Sequence, residues 1–164
     1  MNVPFKTNDK PGHYILERPV SAEEILAMAR KLVNRRCARG RQLTKPKDSE
    51  DFLMLKLSHL EHEVFAAIFL DNRHRILSYE EMFRGTIDGA SVHPREVVKR
   101  AIQLNAAAII FAHNHPSGVA EPSRADEAIT KRLTDALKLV DVRVLDHLVI
   151  AGSNVVSFAE RGLL

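Results

Sequence analysis

The segment Ala106-Ala-Ala-Ile-Ile-Phe-Ala-His-Asn-His-Pro116 decides how this chain is read. Residues 106 to 112 form a continuous apolar run of strand length, so a strand buried on both faces of a sheet is expected there. It delivers the chain directly to His113. In extended backbone, side chains two residues apart point to the same side, so His113 and His115 can reach one ion. Two histidines alone are weak evidence of a metal site, and a third ligand is required.

Asp126 can supply it. Pro116 to Pro122 reads as a loop that returns the chain to a helix whose first turn holds Ser123 and Asp126, three apart and neighbours on that turn. Two imidazole nitrogens and one carboxylate oxygen leave the fourth position of a tetrahedral zinc open to water, as in catalytic rather than structural sites. Ser123-Arg124-Ala125-Asp126 also has the form of a capping box, and a helix start needs no metal to explain it.

Outward from this segment, Pro122 onward predicts a helix to about Val140, with Ile129, Leu133, Ala136, Leu137 and Val140 inward. Val142 to Ala151 and Asn154 to Phe158 read as strands joined at Gly152. Upstream, Pro94 in a first turn opens a helix from His93 to about Asn105. Glu63 to Asp71 is a second buried strand, with Arg73 to Tyr79 returning beside it across the Asp71-Asn72 turn. Gly85 to Gly89 resembles a further turn. Ser21-Ala-Glu-Glu24 caps a helix over Glu23 to Arg36, Gly40 and Pro46 break the chain, and a second helix is expected over Ser49 to Leu60. Residues 1 to 20, with Pro4, Pro11, Gly12 and Pro19, suggest an irregular arm. The expected architecture is α/β (α+β): a mixed sheet with helices packed on it, and an N-terminal helical extension over residues 1 to 48 before a domain at 49 to 164.

Composition excludes several classes. Hydrophobic residues make up 45% and charged residues 27%, as in ordinary globular proteins rather than disordered or fibrous ones. No apolar run approaches the roughly 20 residues that span a bilayer. The first residues lack an apolar stretch after their positive charges, so no signal peptide is read there. Cys37 is the single cysteine, which fits a reducing, cytoplasmic setting and leaves metal binding to histidine and carboxylate. Residues 1 to 50 carry 11 Lys/Arg against 6 Asp/Glu, and the remainder 13 against 15. The excess includes Arg35, Arg36, Arg39 and Arg41, a cluster that suits phosphate as a nucleic-acid partner or else a solvated linker. No aromatic residue interleaves with it to stack bases.

His113-x-His115-Pro116, then Ser123-x-x-Asp126, with a glutamate well upstream, resembles the JAMM or MPN metalloprotease motif. His113-Asn-His-Pro-Ser-Gly118, Phe83-Arg-Gly-Thr86, Val92-His-Pro-Arg-Glu96 and Leu145-Asp-His147 look like the JAB domain of the bacterial RadC family. The resemblance covers roughly residues 50 to 164 and implies a JAB/MPN-like, cytidine deaminase-like fold. It also implies a zinc ion on His113, His115 and Asp126, and hydrolysis of a peptide or isopeptide amide in a protein or peptide substrate. Full-length members carry a larger helical region before this domain than the residues preceding it here.

The motif also implies a glutamate on an early strand as general base. Glu63 is preferred because it opens the first buried strand, with Glu61 as the alternative on the same face. The resemblance assigns Ser123 a hydrogen bond to the developing oxyanion. Asp146 and His147 are read either as supports of a metal ligand or as a satisfied core pair. His13, His59, His62, His74 and His93 have no partner at ligand spacing. Two other readings compete with hydrolysis: a nucleic-acid-associated protein, and a module that keeps the metal without turnover.

Overall fold

A computed structural model describes residues 4–10, 12–36, 38–85 and 92–164. Cys37, most of the turn expected at Gly85 to Gly89, and the side chain of Arg36 lie outside them. The chain divides into two compact units, residues 1–35 and 36–164.

In the first unit the arm expected to be irregular is instead a small antiparallel ribbon, β1 (Phe5–Thr7) with β2 (Tyr14–Leu16). The correction has a local cause. Gly12 takes φ +81°, a conformation glycine adopts without penalty, and the turn closes through Asn8 N–H to the His13 carbonyl at 3.1 Å. Helix α1 (Ala22–Arg36) starts where the capping box predicts. Ser21 Oγ accepts from Glu24 N–H at 3.2 Å, and Glu24 accepts from Ser21 N–H at 3.0 Å.

The second unit is built on five strands in the order β4-β3-β5-β6-β7. These are β3 (Val64–Leu70), β4 (Ile76–Arg84), β5 (Ala108–Asn114), β6 (Arg143–Ala151) and β7 (Asn154–Ser157). Every pairing is antiparallel except β5 with β6. A parallel pair needs a crossover, and α4 (Arg124–Lys138) supplies it. The mixed sheet flanked by helices is the architecture expected.

The boundaries that differ do so for identifiable reasons. Helix α2 runs over Pro46–Leu57 rather than from Ser49, because Pro46 occupies a first-turn position, where its missing N–H costs nothing. Strand β4 continues to Arg84, past the expected end at Tyr79, because its inner residues pair with β3 as far as Val64. Strand β5 runs through His113 and Asn114, so the first histidine sits in the ladder. In the Asp71 turn, Oδ1 of Asp71 accepts from the N–H groups of Arg73 and Arg75, both at 2.8 Å, and His74 takes φ +56°.

Strands β3 and β5 are buried along their whole length, so both faces of the sheet are covered. Phe65, Ala67, Phe69, Ile109 and Phe111 join Val97 and Ala101 of α3 (Pro94–Gln103) and Leu133 and Leu137 of α4 in one apolar core. Alternate residues therefore face the other side, and α2 packs on β5 and β6. Among the described residues, no helix is long and apolar enough to cross a membrane.

Candidate metal centre

The centre forms where β5 ends and α4 begins, at the carboxyl end of the parallel pair. There the chain must leave the sheet, and ligands find open backbone in such α/β arrangements. His113 is held in register, opposite Phe65 on one side and Val149 on the other. His115 lies just beyond the ladder, tied by its N–H to the Ile150 carbonyl at 2.8 Å. The loop then turns at Gly118 (φ +82°) and reaches the α4 N-cap, Ser123.

Three side chains converge. Nε2 of His113 lies 3.0 Å from Nε2 of His115 and 3.3 Å from Oδ1 of Asp126, and Nε2 of His115 lies 3.6 Å from Oδ2. One donor atom from each residue falls within a 4.8 Å group. Lone pairs packed this closely repel unless a cation lies among them. Ligand atoms about 2.0 to 2.1 Å from a tetrahedral zinc stand roughly 3.3 Å apart, close to the nitrogen–nitrogen separation and to each imidazole's separation from its facing carboxylate oxygen, Oδ1 for His113 and Oδ2 for His115. Two imidazoles with one carboxylate also form a donor set suited to zinc, and the residues therefore fit the ion.

Asp126 serves the cap and the cluster at once. Its Oδ2 accepts from Ser123 N–H at 2.7 Å and from Ser123 Oγ–H at 2.6 Å, while Ser123 Oγ accepts from Asp126 N–H at 3.2 Å. Oδ1 is the oxygen turned toward His113. Partial burial opposes charge on this carboxyl, but His113 whenever it is protonated, together with the hydroxyl and amide of Ser123, outweighs it and holds the group well below the usual carboxylate range. The Ser123 hydroxyl proton is thus directed to a carboxylate oxygen.

Behind the ligands lies a buried layer. His115 Nδ1 is 2.7 Å from the Val119 carbonyl, which only accepts, so the ring proton is on Nδ1 and the Nε2 lone pair faces the cluster. His113 Nδ1 is 2.8 Å from Nε2 of His147, whose Nδ1 is 2.6 Å from Thr130 Oγ1. His147 is fully buried, stacked on Phe158 at 4.8 Å and edge-on to Phe65 and Phe111. That burial, with His113 beside it, pushes its pKa well below the ordinary imidazole value, so the ring is neutral.

Asp146 is not brought to the site: of the two readings of the Asp146–His147 pair, support of a ligand does not hold for Asp146, whose carboxylate is satisfied elsewhere. Consecutive strand residues point to opposite faces. Asp146 accepts from the N–H groups of His147 (2.7 Å) and Ala159 (3.0 Å) and from Ser157 Oγ–H (2.6 Å), pinning β6 to the end of β7. It borders a separate cavity of about 360 Å³ lined also by Leu43, Ile110 and Leu145.

Glu63 lies half-buried, one residue before β3, and Glu61 is exposed in a bend. Phe65 pairs with His113 at the end of the β3–β5 ladder; Glu63 lies two residues before Phe65, as His115 lies two residues beyond His113. The segment is clamped by Asn114, which the sequence reading passed over between its two histidines. Its Oδ1 accepts from Val64 N–H at 2.8 Å, and its Nδ2 donates to the carbonyls of His62 (2.9 Å) and Leu60 (3.3 Å). Asn114→Leu is expected to leave these buried backbone groups unpaired and to lower stability by about 1–3 kcal/mol in urea denaturation. A loss under a few tenths would show the clamp to be dispensable.

Thr130 was also missed. The available signal was its spacing, four residues after Asp126 and three before Leu133, which sets a polar residue on the buried stripe of α4. Of the basic cluster, Arg35, Arg39 and Arg41 are exposed. The remaining histidines take no part in the cluster.

Residues 43–163 match the family model described as RadC-like JAB domain. Among curated relatives, a UPF0758 protein of Thioalkalivibrio sulfidiphilus is 64% identical over 142 residues, 87% of this chain and 63% of that protein. One from Nitrosococcus oceani is 60% identical over 139 residues, 85% of this chain and 62% of its own length. The chain thus spans somewhat under two thirds of these two relatives. A UPF0758 protein of Vibrio cholerae is 52% identical over 155 residues, 94% of this chain and 98% of that protein. With the motif, the mixed sheet and the converging donors in place, the match across most of its length means that this chain belongs to the RadC family, within the wider JAMM relationship.

Proposed function

We propose that this protein is a zinc-dependent hydrolase that cleaves a peptide or isopeptide amide bond. The observation that carries the reading is the convergence of His113, His115 and Asp126 at separations suited to one ion, and Glu63 is supported as base by its place just before β3, the strand that pairs with His113 through Phe65. When bound, zinc supplies a Lewis acid and lowers the pKa of a coordinated water toward about 7.

The chain's own residues do the rest. His113, His115 and Asp126 hold the ion and leave a position open. Glu63 takes the proton of the attacking water as its oxygen adds to the amide carbon, then passes that proton to the departing nitrogen. The C–N bond breaks as the amine leaves. Ser123 donates to the developing oxyanion by swinging its hydroxyl proton away from Asp126 Oδ2, a contact worth about 3 kcal/mol at comparable donors. Glu63 is favoured over Glu61 because the backbone on each side of it is held by Asn114. The setting proposed is the cytoplasm and the partner a protein or peptide substrate.

The test is a panel of fluorogenic peptide and isopeptide amides presented to the zinc-loaded protein and to Glu63→Gln. Glu63→Gln is expected to keep stoichiometric zinc while losing about 10²- to 10⁴-fold in rate. Equal turnover by Glu63→Gln would remove Glu63 as base, and zinc binding without turnover on every amide would favour a binding module.

A further inference from the structure

We propose that Thr130, acting through His147, fixes which nitrogen of His113 faces the metal. This rests on the zinc reading for its purpose, though not for its geometry. The Thr130 hydroxyl has a single proton. The Asp126 carbonyl, one turn earlier on α4 and 2.5 Å away, can only accept, so it receives that proton. Thr130 Oγ1 must then accept from its other neighbour, the Nδ1–H of His147 at 2.6 Å.

A neutral imidazole carries one ring proton, and His147 has spent its proton on Thr130. Its Nε2 is therefore bare. The atom facing it at 2.8 Å, Nδ1 of His113, must be the donor. That places the proton of a neutral His113 on Nδ1 and turns its Nε2 lone pair toward His115 and Asp126. Thr130, His147 and His113 are all buried, so bulk water does not reach the links between them.

The relay begins and ends on Asp126, whose carbonyl orients the hydroxyl and whose carboxylate closes the cluster. The first turns of α4 thus supply one ligand and set the tautomer of another. His115 reaches the same tautomer independently through the Val119 carbonyl. In the opposite arrangement, His147 would donate from Nε2, His113 would carry its proton on Nε2, and that proton would occupy the space meant for the ion. Thr130 is a positioning residue: it touches neither metal nor substrate.

Two readouts test this, in wild type, Thr130→Val and Thr130→Ser. Side-chain nitrogen NMR of metal-free protein at about pH 8, above the ordinary imidazole range, reports the His113 tautomer directly. Wild type and Thr130→Ser are expected to hold the proton on Nδ1, and Thr130→Val, which keeps the shape without the hydroxyl, to give a mixture. Zinc affinity by competition with a chelating dye is expected to fall about 10- to 100-fold in Thr130→Val and to recover in Thr130→Ser. A wild type with its His113 proton on Nε2 overturns the proposal even if the valine variant does not fold. So does a folded Thr130→Val with the wild-type tautomer and unchanged affinity. Failure of wild type to bind zinc would refute the metal reading alone, since the tautomer spectrum still decides the relay.

Discussion

Asp126→Ala is expected to abolish stoichiometric zinc binding, and Ser123→Ala is expected to retain it. The two residues share one capping box, so either substitution weakens the start of α4 by about 1 kcal/mol. Only one of them offers a ligand atom to the cluster. Loss of Oδ1 leaves two imidazoles without the anionic partner that completes the set. Zinc affinity should then fall further than the roughly 100-fold at the upper end of outer-shell substitutions. In Ser123→Ala the carboxylate keeps the Ser123 backbone N–H at 2.7 Å, so its orientation is largely preserved and affinity stays within the outer-shell range. Elemental analysis and dye competition on both variants, with thermal unfolding to follow the cap, make the comparison. Equal zinc content in wild type and Asp126→Ala would take that residue out of the ligand set, whatever happened to stability.

Phe69→Ala is expected to cost about 3–5 kcal/mol, a large share of the 5–15 kcal/mol that holds a typical domain. Phe69 is fully buried in β3, in the core shared with Val97, Ile109, Leu133 and Leu137. Truncation removes the ring's burial and leaves a cavity between sheet and helices that cannot close. At a urea slope of about 2 kcal/mol/M, the midpoint should fall by roughly 2 M with the slope unchanged. Phe69 pairs with Ile109, whereas Phe65 pairs with His113, so the lesion lies about 13 Å along the strand from the metal centre. Protein still folded without urea should therefore bind zinc at wild-type affinity. A loss under 1 kcal/mol would show that this face of the sheet repacks freely.

These expectations separate what was readable from what was not. The two central strands were legible because each is a continuous apolar run between helix and turn signals, and burial on both faces leaves no polar alternation to confuse them. The N-terminal ribbon was not: β1 and β2 are three residues each, too short for any period to register. The outer half of β4 was lost for a related reason. Its Glu80 and Glu81 look like a loop, yet Glu80 is bound through both oxygens by Arg100 of α3, 20 residues away.

At the centre itself, the sequence determined which three donors converge because each relation there is local. Residues two apart on an extended strand share a face, and a serine three before an aspartate at a helix start turns that carboxylate back along the chain; both follow from backbone geometry alone. The hydrogen-bonded chain behind those donors was decided by the fold. His147 and Thr130 stand 34 and 17 residues from their partners, and Asn114 grips backbone 50 to 54 residues before it. Such meetings depend on strand register and on how α4 crosses the sheet, and a slip of one residue in register would turn His147 and Asn114 to the opposite face.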